Sequence, residues 1–412
     1  MSWVQIPFWL SVAAILHSYI LYPYYVIRLA RNIPEPLPPP SPSVDLLPRV
    51  TVLIAAYNGE KSIAARIANI LSCHYPSDRL RVVIASDGST DQTVKIVSES
   101  PAANVEILDF PDRQGKAATL VRAMAELDDD VVILTDATTH FLPDAVLKLA
   151  RHFSDPSVGI VSGKVNMLTA SGPCSEGFYW RMETKIRVAE ARLGVLTGVS
   201  GAIYAIRRSL FVAPQCPTIN DDMVFPILAK HKHNCLSWDG PLPHFWRFEV
   251  LVMEGITQEF SRRRRIGRGA FHSLRVLWPA MLPKNGLSAI ALISHKLLRW
   301  IGPLLLLVCL ITNSLLVGNR FYALLLAIQI LVLISAIIGW LFPSHKGWRR
   351  YCRIATSFHS MNLALGLGFL DCFSPMQPMS WEPTARPLQS GRLTGVSNSL
   401  LLHSLDSDHS FR

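Results

Sequence analysis

Residues 81–91 read RVVIASDGSTD, a short apolar run that stops abruptly at Asp87-Gly88-Ser89-Thr90-Asp91. A continuous Val/Ile run of this length is the pattern of a strand buried on both faces, and the turn residues after it mark its end. Two further segments repeat the design, VTVLIAAYNGE at 50–60 and VVILTDATT at 131–139, and VEIL at 105–108 is a shorter run of the same kind. Helical stretches are expected between them, from Glu60, near 91–99 and near 115–127. Strands alternating with helices give a parallel α/β sheet of the Rossmann-like kind, in which ligands collect at the carboxyl ends of the strands. Tyr57, Asn58, Asp87 and Asp136 occupy those ends. Taken alone, Asp-Gly-Ser-Thr-Asp is equally a turn that caps the next helix.

Outward from this region the chain changes character. Half of its 412 residues are hydrophobic and its mean hydropathy is +0.28, which places it among integral membrane proteins. Residues 3–27 form an apolar stretch of spanning length with Arg28 and Arg31 directly after it, so residue 28 onward is expected on the cytoplasmic side. A cleaved signal peptide would need a basic leader and a small-residue cleavage site, and the sequence has neither. Seven prolines within 34–48 make an extended spacer.

Residues 287–300 are apolar but carry His295, Lys296 and Arg299, which suits an interfacial or protein-packed helix. Spans are expected at 301–318 and 321–342, with the basic loop 345–353 cytoplasmic. A third apolar segment, 354–373, contains Ser357, His359, Ser360 and Asn362. Either it re-enters without crossing or 287–300 crosses. The expected organisation is an anchor at 1–28, a linker at 29–49, a catalytic domain at 50–255, amphipathic helices at 256–300, membrane segments at 301–373 and a Ser-rich, disordered tail within 374–412.

The net charge of +10 is concentrated at 262–268 and 345–353, facing lipid headgroups or substrate phosphates. No basic stripe interleaved with aromatics indicates nucleic acid. The seven cysteines have no C-x-x-C spacing and read as reduced thiols. Asp221 and Asp222 form a carboxylate pair suited to general-base work, with Asn220 placed to orient them, or else a helix cap. Arg262 and Arg265 share one helix face and suit a diphosphate, whereas Arg263 and Arg264 are equally a headgroup-facing stripe. Thr197–Ala202 is close to a G-x-S-x-G elbow but lacks its strand-turn-helix context, and its glycines suit close backbone approach to an acceptor. His231–Cys235 has the composition of a metal site but reads as a polar turn.

Taken in order, VTVLIAAYNGEKSI, VVIASDGSTDQT, Gly115-Lys116, VVILTDATT, TGVSGAIYAIRRSLF, TINDDMVFP and EFSRRRRIGRG resemble the membrane-integrated family 2 glycosyltransferases, the branch containing cellulose, hyaluronan and poly-N-acetylglucosamine synthases. SHKLLRW (294–300) and WEPTAR (381–386) also look like family segments. The resemblance implies a GT-A fold and assigns roles. Tyr57, Asn58, Asp87 and Lys116 would bind the nucleotide, and Asp136 would take the first acidic position of a D-x-D metal motif for Mg²⁺ or Mn²⁺. Asp222, beside Asp221, would be the catalytic base, Arg262 and Arg265 would hold the diphosphate, and Gly198, Ser200 and Gly201 would face the acceptor.

Two departures stand out: Thr138 replaces the second acid of D-x-D, and Ile266 replaces the tryptophan of Q-x-x-R-W, whose glutamine is Arg262. The first weakens metal binding and the second weakens the case for a processive polymerase.

The expected protein is a multi-pass plasma-membrane enzyme with a cytoplasmic catalytic domain, moving a sugar with inversion from a nucleotide-diphosphate donor, a UDP-sugar, to an exopolysaccharide or lipid-linked acceptor. A glycolipid synthase using ceramide or diacylglycerol is the alternative enzyme, and a non-catalytic subunit of a polysaccharide export complex is the alternative outside catalysis. Membrane lipids, and in the polymer reading export-complex subunits, are the expected partners.

Overall fold

The computed structural model describes residues 3–33, 46–167, 177–232, 249–252, 256–342 and 347–373. Residues 34–45 of the proline-rich linker, 233–235 of the His-rich stretch, 343–346 of the basic loop, the WEPTAR segment and the tail lie outside the described residues.

The four apolar runs are strands: β1 (Val50–Ala56), β2 (Leu80–Asp87), β3 (Val105–Phe110) and β4 (Val131–Asp136). After them come β5 (His140–Phe141), β6 (Ile160–Ser162), β7 (Lys164–Met167), β8 (Ile203–Arg207) and β9 (Glu249–Val252). The main sheet has the order β3-β2-β1-β4-β8-β6, parallel from β3 to β4, with β8 antiparallel to β4. The chain runs outward from β1 to β3 and then returns to β4 on the other side of β1. That reversal opens a crevice at the strand ends between β1 and β4. A small second sheet, β5-β9-β7, completes the strands.

The N-terminal helix is α1 (Gln5–Leu16), a π turn at His17–Leu21, and α2 (Tyr22–Ala30). Pro23 has no N–H to continue the α ladder, and the looser turn directly before it absorbs that loss. The domain helices are α3 (Ile63–Leu71), α4 (Thr93–Ser98), α5 (Lys116–Ala125), α6 (Ala145–Ala150), α7 (Gly177–Arg192), α8 (Asp221–Lys232) and α9 (Ile256–Leu277). Ile63, Ile67, Ile70, Val97 and Val146 cover one sheet face, against Val52, Ile54, Val82 and Ile84. Leu120, Met124, Phe225 and Leu277 cover the other, against Leu53, Val83 and Leu134. With both faces covered, these strand residues have no exposed side, and each contributes about 1.5–3 kcal/mol by burial.

The second face also takes in Leu292 and Trp300, so the C-terminal helices share the domain's core. They are α10 (Gly286–Ala291), a π turn at Leu292–Leu297, α11 (Leu298–Trp300), α12 (Gly302–Leu315), α13 (Arg320–Leu341) and α14 (Arg349–Leu370). Among the described residues, Gln5–Ala30 and Arg320–Leu341 are long and apolar enough to cross a membrane. A third crossing is counted if Arg263–Met281 and Pro283–Trp300, bent by 70°, are one span. The segment expected to span at 301–318 is a shorter helix, α12, about 21 Å long at 1.5 Å per residue.

α14 lies across the ends of these helices. Thr356 Oγ1 donates to Ala336 O at 2.7 Å near the C-terminal end of α13, and Gly366 meets Pro303 at the N-terminal end of α12. Gly267 and Gly368 bring α9 and α14 into backbone contact, where a Cβ on Gly368 would meet Arg264 O. Far from this layer, Phe8 and Trp9 pack on Tyr322 and Phe321 at the start of α13. α14 therefore skirts the domain-side end of the α12–α13 hairpin.

Candidate active site

The register Ala56↔Ser86 and Ala55↔Asp136 sets the ends of β1, β2 and β4 nearly level, which gathers their polar residues at one edge. Asn58 is the only non-glycine residue with positive φ among the described residues, at 48°, a conformation asparagine tolerates. There its Oδ1 accepts from Thr90 N at 2.9 Å, tying the loop after β1 to the loop after β2. Gly88 turns that second loop at φ +68°, where an added Cβ would lie 2.8 Å from Pro111 O. No other residue fits that turn without strain.

Asp87 is 1% exposed, and its two oxygens accept from Gln114 N at 2.7 Å and Gly115 N at 2.9 Å. In this structure its carboxylate orders the loop leading into α5. The same loop lays the Arg113 guanidinium 3.6 Å above the centre of the Tyr57 ring. Sequence reasoning passed over Arg113, because a lone arginine before Gly-Lys carries no signal.

Lys116, the first residue of α5, points into the crevice. Its Nζ is 2.8 Å from Asp136 Oδ1 and 3.2 Å from Asp221 Oδ2. Burial works against the ammonium charge, but Asp136 and Asp221 outweigh it and hold Lys116 above the ordinary lysine range. Burial also pushes the Asp221 carboxyl up to about 6, with Asp222 and Asp136 adding to the shift and Lys116 opposing it. Asp221 Oδ2 has the charge of Lys116 nearby but no aligned hydrogen bond among the described residues. Tyr204 on β8, a further residue the sequence did not single out, is fully buried, and its hydroxyl has no hydrogen-bond partner among the described residues. Burial and the charges of Asp221, Asp222 and Asp136 push its phenol well up.

Asp222 faces Thr197–Ala202. Val199 N donates to Asp222 O at 3.0 Å, and a Cβ on Gly201 would lie 3.0 Å from Asp222 Oδ2. Ser200 N donates to Ser162 Oγ at 2.9 Å. A glycine at 201 thus lets backbone pass over the carboxylate.

Asn220 does not act as expected. Its Nδ2 donates to Ile266 O at 3.2 Å on α9, and a Cβ on Gly269 would meet its Oδ1 at 2.8 Å. The amide fastens the arginine-bearing helix beside Asp221 instead of orienting the carboxylate pair. On that helix Arg265 is exposed, Arg264 bonds Asp371 with two contacts of 2.7 Å, and the Arg262 side chain lies outside the described residues. The structure thus gathers Lys116, Asp136, Asp221, Asp222 and Gly201 around one crevice. Tyr57, Asn58 and Asp87 line its β1–β2 side.

For a divalent cation the protein offers Asp136, with Thr138 where a second acid would stand. Among the described residues no cluster of three or more His, Cys, Asp or Glu could hold a metal. Mg²⁺ and Mn²⁺ want about six oxygens, so this donor set fits a cation only when phosphate oxygens and water complete the shell.

Residues 51–211 match the Glycosyl transferase family 2 family, and this segment is a glycosyltransferase family 2 domain. Over 213 residues the chain is 28% identical to an N-acetylglucosaminyltransferase of Rhizobium sp. (strain N33), covering 48% of this chain and 46% of that protein. Over 211 residues it is 26% identical to the poly-beta-1,6-N-acetyl-D-glucosamine synthase of Staphylococcus aureus (strain COL), covering 50% of each. The chain spans about half the length of these curated relatives. Among solved structures it is similar to the mannosyltransferase PcManGT from Pyrobaculum calidifontis in complex with GDP-Man and Mn²⁺. The TM-score is 0.64 at 19% identity, over 88% of this chain and 97% of that one. That likeness shows the GT-A fold, in agreement with the fold that the family resemblance implies.

Proposed function

We propose that the protein is a membrane-bound inverting glycosyltransferase that moves a sugar from a UDP-sugar to a growing exopolysaccharide or a lipid-linked acceptor. The observation that carries this reading is the convergence of Lys116, Asp136 and the Asp221/Asp222 pair at the β1/β4 crevice of a family 2 domain. Both relatives' names concern N-acetylglucosamine, and that of the poly-beta-1,6-N-acetyl-D-glucosamine synthase favours a polysaccharide product.

The chemistry follows from these groups. Asp222 takes the proton of an acceptor hydroxyl, whose oxygen attacks the anomeric carbon from the face opposite the diphosphate. The bond from that carbon to the diphosphate breaks, and the nucleoside diphosphate leaves with the electron pair. Positioned general-base catalysis of this kind contributes about 10²- to 10⁴-fold. Lys116 neutralises part of the charge on the leaving group, and Arg262 and Arg265 grip its oxygens. Asp136 would hold a divalent cation, which would supply further charge neutralisation to the leaving group. Asp221, its carboxyl pushed up to about 6 by burial, is ionised at neutral pH and shares the Lys116 ammonium with Asp136, which offsets its charge.

Two helices long and apolar enough to cross a membrane, Gln5–Ala30 and Arg320–Leu341, support the membrane location, and Arg28 and Arg31 at the end of the first favour a cytoplasmic crevice. A glycolipid synthase is the second reading, favoured by Ile266 in place of a sugar-stacking tryptophan. The test is transfer of labelled sugar by protein in lipid nanodiscs, across UDP-sugars and GDP-mannose, followed by solvent extraction. Label retained in a water-soluble polymer supports the first reading, and label in the organic phase supports the second. No transfer from any donor, with nucleotide bound, would instead fit a scaffold subunit.

A further inference from the structure

Behind the crevice, α7 carries Glu183 and Glu190, seven residues apart and therefore on one helix face. They are 5% and 0% exposed. Two carboxylates in a protein interior are tolerated only with partners, and these partners come from several separate parts of the chain.

Glu183 is held by charge. Arg299 donates to its Oε2 at 2.9 Å, Arg187 to its Oε1 at 3.3 Å, and Lys296 lies 3.5 Å from Oε1. Burial alone would raise this carboxyl, but His295, Lys296 and Arg299 outweigh it and leave it well below the usual range.

Glu190 is held by hydroxyls and by His295. Tyr22 of the N-terminal helix donates to its Oε1 at 2.7 Å, and Thr197 donates to its Oε2 at 2.7 Å. His295 Nδ1 is 2.6 Å from the same Oε1, with Nε2 3.1 Å from Glu183. His295 lies in the π turn Leu292–Leu297, where the neighbouring Ser294 Oγ is 2.8 Å from His17 Nε2 in the π turn of the N-terminal helix. Two interruptions of regular helix thus meet at this cluster.

Thr197 immediately precedes the segment that covers Asp222. Gly198 and Gly201 leave that backbone intrinsically loose, so side-chain anchors must supply its order. Its anchors are Thr197 on Glu190, Arg187 Nη1 on Val199 O at 3.4 Å, Val199 N on Asp222 O at 3.0 Å and Ser200 N on Ser162 Oγ. The Thr197 bond is the one made to a fully buried charged acceptor, and hydrogen bonds to charged groups are the stronger kind.

We propose that Glu190 is a positioning residue: its two oxygens join Tyr22 of the N-terminal helix and His295 of the C-terminal helices to Thr197, and so hold the 198–201 segment against Asp222 on the acceptor side. The acceptor side is named from the glycosyltransferase reading above. The hold of Glu190 on the segment is independent of that reading. The consequence is that the membrane helices set the acceptor geometry without touching substrate.

The test uses the full chain in nanodiscs with Thr197→Val, which keeps shape and loses one donor, and Thr197→Ser, which keeps the donor. The T197V protein is expected to exchange its amides at 198–203 about tenfold faster, the effect of one charge-assisted hydrogen bond. With UDP-N-acetylglucosamine and a β-linked N-acetylglucosamine tetramer, the acceptor KM rises and donor hydrolysis gains on transfer. UDP affinity stays within about twofold, the margin for an untouched site. T197S behaves as the parent does, and Y22F shifts the same readouts in the same direction.

Unchanged exchange in both T197V and Y22F overturns the proposal, as does a loss of UDP affinity equal to the loss of transfer. If T197V fails to fold, Y22F decides, since it removes a bond to the same carboxylate from the other side. Exchange needs no substrate. A parent protein that transfers no sugar therefore overturns the glycosyltransferase reading, while faster exchange in T197V still supports positioning by Glu190.

Discussion

Lys116 Nζ lies 2.8 Å from Asp136 Oδ1, so the side chain at the start of α5 neutralises the carboxylate at the end of β4. Asp221 shares the same ammonium at 3.2 Å. The pairing gives the crevice a cation of its own before any donor arrives, where a second metal-binding acid is missing.

Removing that cation exposes the cost of the carboxylates. Breaking a buried pair typically costs about 3–5 kcal/mol, and Lys116→Met is expected to lower the melting temperature accordingly at pH 8. The sign follows from Asp221. Its folded pKa lies above its unfolded value, so it favours the folded state at low pH and that contribution is lost as pH rises through about 6. Without Lys116 the pKa rises further, and the deficit of the variant should shrink between pH 8 and pH 5. A deficit independent of pH would remove Asp221 from the explanation.

The activity profile should carry the same group. As pH falls through about 6, Asp221 takes up a proton and the charge balance around Lys116 and Asp222 changes. An acid limb in kcat/KM is expected there, and Asp221→Asn should move or abolish it while the parent keeps it. The measurement is kcat/KM from pH 5 to 9 for both proteins, read as values belonging to the coupled pair.

Gly201→Ala tests the close approach to Asp222. The added methyl would sit 3.0 Å from Oδ2 and 3.2 Å from Cβ, so the carboxylate or the backbone must give by a few tenths of an ångström. Overpacking costs about 1–3 kcal/mol, and displacement of the proposed base should lower kcat about tenfold or more with donor affinity unchanged. Steady-state kinetics with nucleotide titration checks this.

The arginines should separate. Arg264 is spent on Asp371 in an exposed pair, and such pairs contribute about 0–1 kcal/mol, so Arg264→Ala should keep activity within about threefold. Arg265→Ala should raise the donor KM or lower kcat by about 10- to 100-fold, the worth of a charge-assisted bond to the diphosphate. Equal effects would make the run a surface stripe.

The strands were legible because covering both faces of a parallel sheet requires continuous apolar residues, and runs such as Val82–Ala85 are hard to mistake for amphipathic helix. Polar residues at strand ends were legible for the same reason, as interruptions of those runs. What stayed hidden depends on side chains meeting across the fold. No spacing links Lys116 to Asp136 and Asp221, Asn220 to Ile266, or Glu190 to Thr197 and His295. The course of α14 was also open in the sequence, since its mixture of Ser, His and Asn suits both a crossing and a helix packed on protein. Its contacts with α9 and the domain-side ends of α12 and α13 keep residue 373 near the catalytic domain.

The most direct measurement is release of nucleoside diphosphate by the purified protein in nanodiscs, with each sugar nucleotide and Mg²⁺ or Mn²⁺, for the parent and for Asp222→Asn. Turnover with one donor that falls by about 10²-fold or more in the variant, as loss of a positioned base requires, is the expected result. Equal release by the two proteins, with donor binding intact in both, would contradict the assignment of Asp222 as the base and with it the proposed mechanism.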